Sequence, residues 1–152
     1  MLSITGDYEV IYLPGTYGTG SAVTDMKPHN NILTLRGALF TRAGYTQVGW
    51  STVDGGEKVY GFEDIYTKNE ALTLYPVWNT NKYTITFDTN GGSEIAPITQ
   101  DYGTEITAPD NPTRKGYTFK GWDKEIPETM PAENITVKAQ WEINQLSLIH
   151  IS

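Results

Sequence analysis

The stretch Arg42-Ala43-Gly44-Tyr45-Thr46-Gln47-Val48-Gly49-Trp50 decides how this chain folds, because it returns as Arg114-Lys115-Gly116-Tyr117-Thr118-Phe119-Lys120-Gly121-Trp122. Strand-like runs flank both copies, at residues 8–12 and 72–78 for the first copy and at residues 83–87 and 135–141 for the second. Both closing runs end in tryptophan, at Trp78 and Trp141. Repetition of this kind indicates a tandem array of small modules, and such arrays usually serve as spacers or binding surfaces.

The repeat divides the 152 residues into a longer, divergent module at residues 1–78 and a second module at residues 83–141. The polar residues 79–82 are expected to form a short linker that keeps the array semi-rigid. Residues 142–152 are interpreted either as the start of a truncated third repeat or as a non-native tail. Modules of this size lie near the lower limit for independent folding, so they must bury most of their 10 tyrosines, 4 phenylalanines and 4 tryptophans.

Composition argues against several classes of partner. The net charge of −7 disfavours nucleic acid, since binding phosphates needs clustered lysine and arginine. No stretch approaches the ~20 apolar residues of a membrane span, so we expect no membrane insertion. The absence of cysteine removes disulfides and thiol chemistry but leaves the compartment open. Residues 1–5 lack the basic start and apolar core of a signal peptide, so a secreted parent protein would carry its signal upstream.

Alternation of apolar and polar residues predicts half-buried strands. Ile135, Val137, Ala139 and Trp141 fall on one face of their run. The fold class is therefore mainly β or α+β, with one short helical segment expected at residues 31–35 or 104–108.

Glycines mark the expected turns and irregularities. Gly91-Gly92 predicts a tight turn, because glycine adopts positive φ without penalty. A glycine directly before a large indole, as at Gly49-Trp50 and Gly121-Trp122, predicts a bulge or the close packing of a neighbour.

We call the repeated nine-residue stretch, residues 42–50 and 114–122, the nonapeptide. The second module carries a series of short motifs in a defined order, which are Tyr83-Thr84-Ile85-Thr86-Phe87-Asp88-Thr89-Asn90-Gly91-Gly92, Tyr102-Gly103-Thr104, Pro112-Thr113 before the nonapeptide, Met130-Pro131-Ala132 and Thr136-Val137-Lys138-Ala139-Gln140-Trp141. In order and spacing they resemble the Listeria–Bacteroides repeat, the B-repeat type of internalins. Residues 8–78 resemble the same repeat more loosely. They have Pro14-Gly15-Thr16-Tyr17-Gly18 in place of the Asn-Gly-Gly turn, and Gln47 in place of Phe119.

The resemblance implies two tandem, small, ubiquitin-like or β-grasp-like modules from a bacterial surface or secreted protein. It implies no catalytic activity and no cofactor, and it brings no set of ligand-contacting residues. The implied role is a spacer, a stalk or an adhesion-related surface. The implied location is extracellular, at the cell surface, with signal and anchor outside this stretch of chain.

Residues that carry chemistry are sparse. His29 lies in a polar loop, His150 lies near the end of the chain, and neither recurs in the other module. General acid–base catalysis needs a positioned partner, and neither histidine has an evident one. The carboxylates of Glu63-Asp64 and of Asp123, Glu125 and Glu128 are not repeated either, so solvated loops are the expected setting. We therefore predict no catalytic, cofactor-binding or metal-binding residues, and we interpret residues 88–92 as a turn because later acidic ligands of a calcium loop are missing.

A recurring set of residues is predicted to be the structural signature of the repeat: Gly44, Tyr45, Gly49, Trp50, Trp78, Gly91, Gly92, Gly116, Tyr117, Gly121, Trp122 and Trp141. Recurrence favours tryptophans in the core, where each large aromatic side chain removes ~150–250 Å² from water. Replacing Trp122 by alanine is then expected to cost ~3–5 kcal/mol.

The alternative is an exposed aromatic row that stacks sugars, which would make this a module that binds glycans or cell walls. The partners expected from the sequence are a host or cell-surface protein or glycan, bound weakly and multivalently, and adjacent repeats of the same chain.

Overall fold

The computed structural model describes residues 6–145. The predicted third repeat or tail at residues 146–152, which includes His150, lies outside the described residues. The chain divides into two compact units, unit 1 ending at Thr80 and unit 2 beginning at Asn81. Both are described separately below.

Strands make up the regular structure of both units, so the fold is mainly β. Unit 1 contains β1 (Tyr8–Tyr12), β2 (Val23–Lys27), β3 (Leu33–Thr34), β4 (Tyr45–Ser51), β5 (Ile65–Tyr66) and β6 (Leu72–Thr80). Unit 2 contains β7 (Lys82–Asp88), β8 (Ile98–Asp101), β9 (Tyr117–Trp122) and β10 (Ile135–Ile143). Within residues 6–145, no helix has the length and apolar character needed to span a membrane.

Each unit is built on a four-stranded mixed sheet with equivalent topology. The strand order is β2-β1-β6-β4 in unit 1 and β8-β7-β10-β9 in unit 2. The first and last strands of the unit lie side by side at the centre and run parallel, with Val10 opposite Leu72 and Ile85 opposite Ile135. The outer strands pair antiparallel with them. Unit 1 adds a small sheet of β3 and β5.

The irregularity predicted in the nonapeptide is present at the same place in both units. In unit 1, Gln47 pairs with Trp78 and Gly49 pairs with Val77, which leaves Val48 as the extra residue. In unit 2, Phe119 pairs with Trp141 and Gly121 with Gln140, which leaves Lys120 as its counterpart. An extra residue of this kind is a β-bulge, which bends the strand and increases its twist.

The expected helical segment does not form at either candidate position, and that prediction was wrong. Residues 31–35 contain β3, and residues 104–108 are extended. The amide of Ile106 donates to the carbonyl of Glu128 at 2.9 Å, and the amide of Met130 donates to that of Thr104 at 2.9 Å. These long-range hydrogen bonds hold the segment extended, with the side chains of Ile106 and Met130 buried in the core. The tertiary contacts outweigh a weak local preference for helix.

The segment expected to be a linker is almost entirely strand. Asn79 and Thr80 belong to β6, and Lys82 begins β7, so Asn81 alone separates the two strands along the chain. β10 likewise continues past Trp141 to Ile143.

Each unit has its own hydrophobic core on one face of its sheet. The core of unit 1 comprises Val10, Tyr12, Leu35, Phe40, Trp50, Tyr66 and Leu74. The core of unit 2 comprises Ile85, Phe87, Ile106, Met130 and Val137. Unit 1 thus uses four aromatic rings where unit 2 uses one, and Tyr83 and Trp122 pack at the margin of the core of unit 2.

A polar network of Tyr12, Asp25 and Arg36 lies between the core of unit 1 and its surface. The guanidinium of Arg36 binds the carboxylate of Asp25 through two hydrogen bonds of 2.8 and 2.7 Å. The hydroxyl of Tyr12 accepts a hydrogen bond from the amide of Arg36 and bonds to Asp25. The hydrogen bonds from Arg36 hold the pKa of Asp25 below its ordinary value, and burial raises the pKa of Tyr12.

This network predicts an acid-sensitive contribution to stability. Because the pKa of Asp25 is lower in the folded chain, its contribution is present above the ordinary carboxyl pKa and is lost as pH falls below about 4. We expect Asp25→Asn to lower the urea midpoint at pH 7 and to reduce the further loss between pH 7 and pH 3. Exposed Asp110 provides the control substitution, Asp110→Asn. An acid-induced loss as large in Asp25→Asn as in the parent chain would contradict this assignment.

Candidate functional site

The first part of the repeated signature is a tight turn directly before the strand of the nonapeptide, β4 in unit 1 and β9 in unit 2. The amide of Tyr45 donates to the carbonyl of Arg42, and the amide of Tyr117 donates to that of Arg114, both at 3.0 Å. The third residue of each turn is glycine, with φ of 84° at Gly44 and 82° at Gly116. This is the pattern of a type II turn, which requires positive φ at that position and therefore favours glycine.

The same turn places an arginine over a tyrosine in both units. The guanidinium carbon of Arg42 lies 3.6 Å from the ring centroid of Tyr45, and that of Arg114 lies 3.7 Å from the ring of Tyr117. A guanidinium at this distance is attracted by the negative face of the ring. The recurrence of both geometry and distance indicates that the stacked pair belongs to the fold of the repeat.

Trp50 is the centre of the core of unit 1 and is fully buried. Its indole nitrogen donates to the carbonyl of Arg36 at 2.8 Å. Three rings surround it in edge-on or near edge-on contact: those of Tyr12, Phe40 and Phe62. Gly49 before it is also buried, and a side chain there would lie 2.9 Å from the carbonyl oxygen of Tyr60.

The tryptophans of unit 2 lie in a chain of tilted and edge-on ring contacts at the margin of its core. Trp122 is half-buried, and its ring centroid lies 5.4 Å from that of Phe87 and 5.3 Å from that of Phe119. Phe119 in turn contacts Trp141 at 5.5 Å. Gly121 adopts a φ of 112° and has open space beside it. These rings are packed on one another rather than presented singly to solvent.

Full burial of Trp50 and half-burial of Trp122 predict unequal costs of truncation. We expect Trp50→Ala to destabilise unit 1 by ~3–5 kcal/mol, the range for a large aromatic in a core. Trp122→Ala should cost less in unit 2, because part of its surface already contacts water. Urea unfolding by far-UV circular dichroism measures both, and hydrogen exchange assigns the loss to a unit. Equal costs, or a larger cost for Trp122→Ala, would argue against this difference in packing.

The Asn-Gly-Gly turn of unit 2 packs against the indole of Trp141. Asn90 and Gly91 have φ of 50° and 93°, the pattern of a type I′ turn, and the amide of Gly92 donates to the carbonyl of Thr89 at 3.0 Å. The indole nitrogen of Trp141 donates to the same carbonyl at 2.9 Å. A Cβ at Gly92 would lie 2.4 Å from Cζ2 of Trp141. The second glycine is therefore needed for the approach of the indole and not for its own φ.

This contact predicts a steric effect that can be isolated. Gly92→Ala should destabilise unit 2 by about 1–3 kcal/mol, because the added methyl group displaces Trp141. Gly37→Ala is the matched control, since Gly37 has no atom within 4 Å of an added Cβ and no positive φ. Thermal unfolding followed by circular dichroism compares the two variants, and indistinguishable midpoints would contradict the proposed contact.

Trp78 lies in a different setting from the other signature residues. It is half-buried and lines a cleft of about 300 Å³ within unit 1. The cleft is lined by Tyr17, Arg42, Tyr45, Asp54, Gly55, Gly56, Pro76, Val77 and Trp78. Its wall at residues 54–56 belongs to the long segment after Trp50 that has no counterpart of equal length in unit 2. Sequence reasoning did not identify this cleft, although the extra length of that segment was a visible signal.

The candidate chemical groups do not assemble into a catalytic arrangement in the described residues. Nδ1 of His29 is hydrogen-bonded to the hydroxyl of Tyr8 at 2.7 Å. The carboxylates of both acidic groups singled out above are exposed. The carboxylate of Asp64 accepts from the amide of Gly61, and that of Asp123 accepts from the amide of Lys138. Within residues 6–145, no group of three or more histidine, cysteine, aspartate or glutamate side chains is placed to hold a metal ion.

A buried lysine was also missed. Lys27 is fully buried at the end of β2, and its amino group donates to the carbonyl of Pro28 at 2.8 Å and to the side chain of Asn69 at 3.0 Å. Asn69 accepts from the amide of Asn30 as well. The lysine thus ties the loop after β2 to the loop before β6, which is a structural role.

The fold and the shared signature define a tandem repeat of small mixed-sheet modules. The Listeria–Bacteroides repeat domain matches the chain twice, at residues 8–77 and 83–140. The chain belongs to that family.

Three relatives are 34–37% identical to this chain over the aligned 113–115 residues. A putative Gly-rich membrane protein of Evansella cellulosilytica is 37% identical over 115 residues, which are 69% of this chain and 13% of that protein. A putative membrane protein of the same organism is 34% identical over 115 residues, covering 70% of this chain and 17% of that protein. Internalin H of Listeria monocytogenes serovar 1/2a is 36% identical over 113 residues, covering 68% of this chain and 20% of that protein. The chain thus matches a fifth or less of each relative.

Proposed function

We propose that this chain is a non-catalytic segment of a bacterial surface or secreted protein, in which consecutive repeats act as a semi-rigid spacer or stalk and offer an adhesion-related surface. The observation that carries the proposal is the duplication of one architecture in consecutive units. Both units have the same sheet order, the same bulge and the same stacked arginine–tyrosine turn. The features that recur in both units are therefore features of the fold. This pattern is expected of a repeat array whose role depends on its length and shape.

The proposed location is the outside of the cell. It is supported by the names of the relatives, two of which are called membrane proteins and one an internalin. The chain corresponds to a small part of each, so anchoring would be the task of other parts of such a protein.

We also propose a β-grasp-like classification for each unit. It is supported by the mixed four-stranded sheet with its first and last strands parallel at the centre. The described residues of both units depart from that fold in lacking a helix across the sheet.

The short connection between the repeats supports the proposed semi-rigidity. Asn81 alone separates β6 from β7 along the chain, and a single residue has few conformations compared with a flexible linker. Weak contacts made by each repeat to a host or cell-surface protein or glycan would add up along such an array.

Nuclear magnetic relaxation tests the spacer role. In the ¹⁵N-labelled chain, we expect the amides of both units to report one shared rotational correlation time. The control is the same chain with ten Gly-Ser residues inserted after Asn81, in which each unit should tumble faster and independently. A parent chain that already tumbles as two independent units would overturn the semi-rigid spacer.

A further inference from the structure

We propose that the cleft of unit 1 is a binding site for an acidic saccharide, with the carboxylate of a uronic acid held by Arg42. This goes beyond the spacer role and does not depend on it. The cleft lies entirely within unit 1, between the turn at Arg42, the segment at residues 54–56 and the end of β6. Its volume of about 300 Å³ lies at the lower end of small-molecule sites, which suits one or two sugar rings better than an extended peptide.

Arg42 is the group that selects an anion. Its guanidinium lies between two rings, 4.3 Å from the centroid of Tyr17 and 3.6 Å from that of Tyr45. The ion pairs among the described residues involve other cations, so Arg42 has no carboxylate partner within that part of the chain. A guanidinium held between two rings and without a carboxylate partner is suited to bidentate binding of a carboxylate.

The carboxylate that lines the cleft, that of Asp54, forms no ion pair with Arg42. It accepts hydrogen bonds from the amide of Thr16 at 3.0 Å and from its hydroxyl at 2.8 Å. This interaction joins the segment at residues 54–56 to the loop that carries Tyr17 and so shapes the cleft.

The aromatic side chains that line the cleft provide the apolar contacts of a saccharide site. Tyr17 is 63% exposed, and Tyr45 and Trp78 are half-buried along the same cleft. A pyranose ring has an apolar C–H face and a polar edge, so it can stack on a tyrosine or indole ring while its carboxylate reaches the guanidinium. An exposed tyrosine costs little conformational entropy to hold in place, since it has two rotatable side-chain bonds.

Unit 2 provides an internal comparison. Arg114 stacks on Tyr117 as Arg42 stacks on Tyr45, but its guanidinium rests against the turn at Asn90 and Gly91. The shorter segment after Trp122 supplies no equivalent of residues 54–56. The stacked pair belongs to the repeat in general, whereas the cleft belongs to unit 1.

Titration of the ¹⁵N-labelled full chain with tetragalacturonate, a linear oligomer of uronic acid, tests the site. At an ionic strength of about 0.15 M, we expect saturable shifts at the indole N–H of Trp78 and at the amides of residues 54–56. The indole signals of Trp122 and Trp141 should not move. Neutral maltotetraose, used at the same concentrations, should bind about tenfold more weakly because it lacks the charge-assisted hydrogen bonds.

Two variants and one control make the test specific. Tyr17→Ala removes an exposed ring and should weaken binding at least several-fold without unfolding the unit. Arg42→Lys keeps the charge but loses the planar fork, and should weaken binding about tenfold. Arg114→Lys is the matched control in unit 2 and should leave binding unchanged. Absence of saturable shifts at Trp78, equal binding of the neutral oligomer, or an equal loss in Arg114→Lys would each overturn the proposal.

Discussion

Parallel pairing between the first and the last strand of a unit is the constraint on which each unit depends. β1 lies between β2 and β6, and β7 lies between β8 and β10, so the centre of each sheet is built from its two chain ends. Alternate residues of these paired strands, among them Val10 in unit 1 and Val137 in unit 2, are also fully buried. Hydrogen bonding and hydrophobic burial therefore stabilise the same strands. The nonapeptide strand then completes the sheet by pairing antiparallel with the last strand, and Trp50 or Trp122 follows shortly after its bulge.

The two units satisfy this plan with different packing. Unit 1 places Trp50 at the middle of its core and surrounds it with other rings, whereas the core of unit 2 holds one ring, that of Phe87, among aliphatic side chains and Met130. Gln47 and Phe119, which occupy equivalent positions, mark this difference. The side-chain oxygen of Gln47 accepts from the amides of Leu39 and Phe40, both at 3.1 Å, so a buried amide replaces a ring–ring contact. A divergent repeat can thus keep its topology while the chemistry of its interior changes.

The strands, the mainly β class and the bulge were predictable because period-two alternation and glycine placement are local signals. The helical expectation at residues 104–108 failed because the partner of Ile106, at Glu128, is distant in sequence. Residues 79–82 were expected to form a linker from their polarity, but polarity at Asn79 and Thr80 reflects an exposed strand end. The burial of Lys27 had a readable signal, since it shares the inward parity of Val23 in β2. The only sequence signal of the cleft in unit 1 was the length of the segment after Trp50, because Tyr17, Arg42 and Trp78 come together only in the folded unit.

The central position of the last strand also has a consequence for how a long array of such units is made. β1 and β7 acquire their second neighbour only when β6 and β10 have been synthesised, so no unit can complete its sheet from its N-terminal part alone. Contacts between chain ends give a high contact order, and closing them is slow compared with forming a hairpin. An unfinished unit therefore stays open and extensible until its final residues appear. For the surface or secreted protein proposed above, that delay would keep each repeat unfolded during export, and each repeat would then fold as a whole once its last strand has followed.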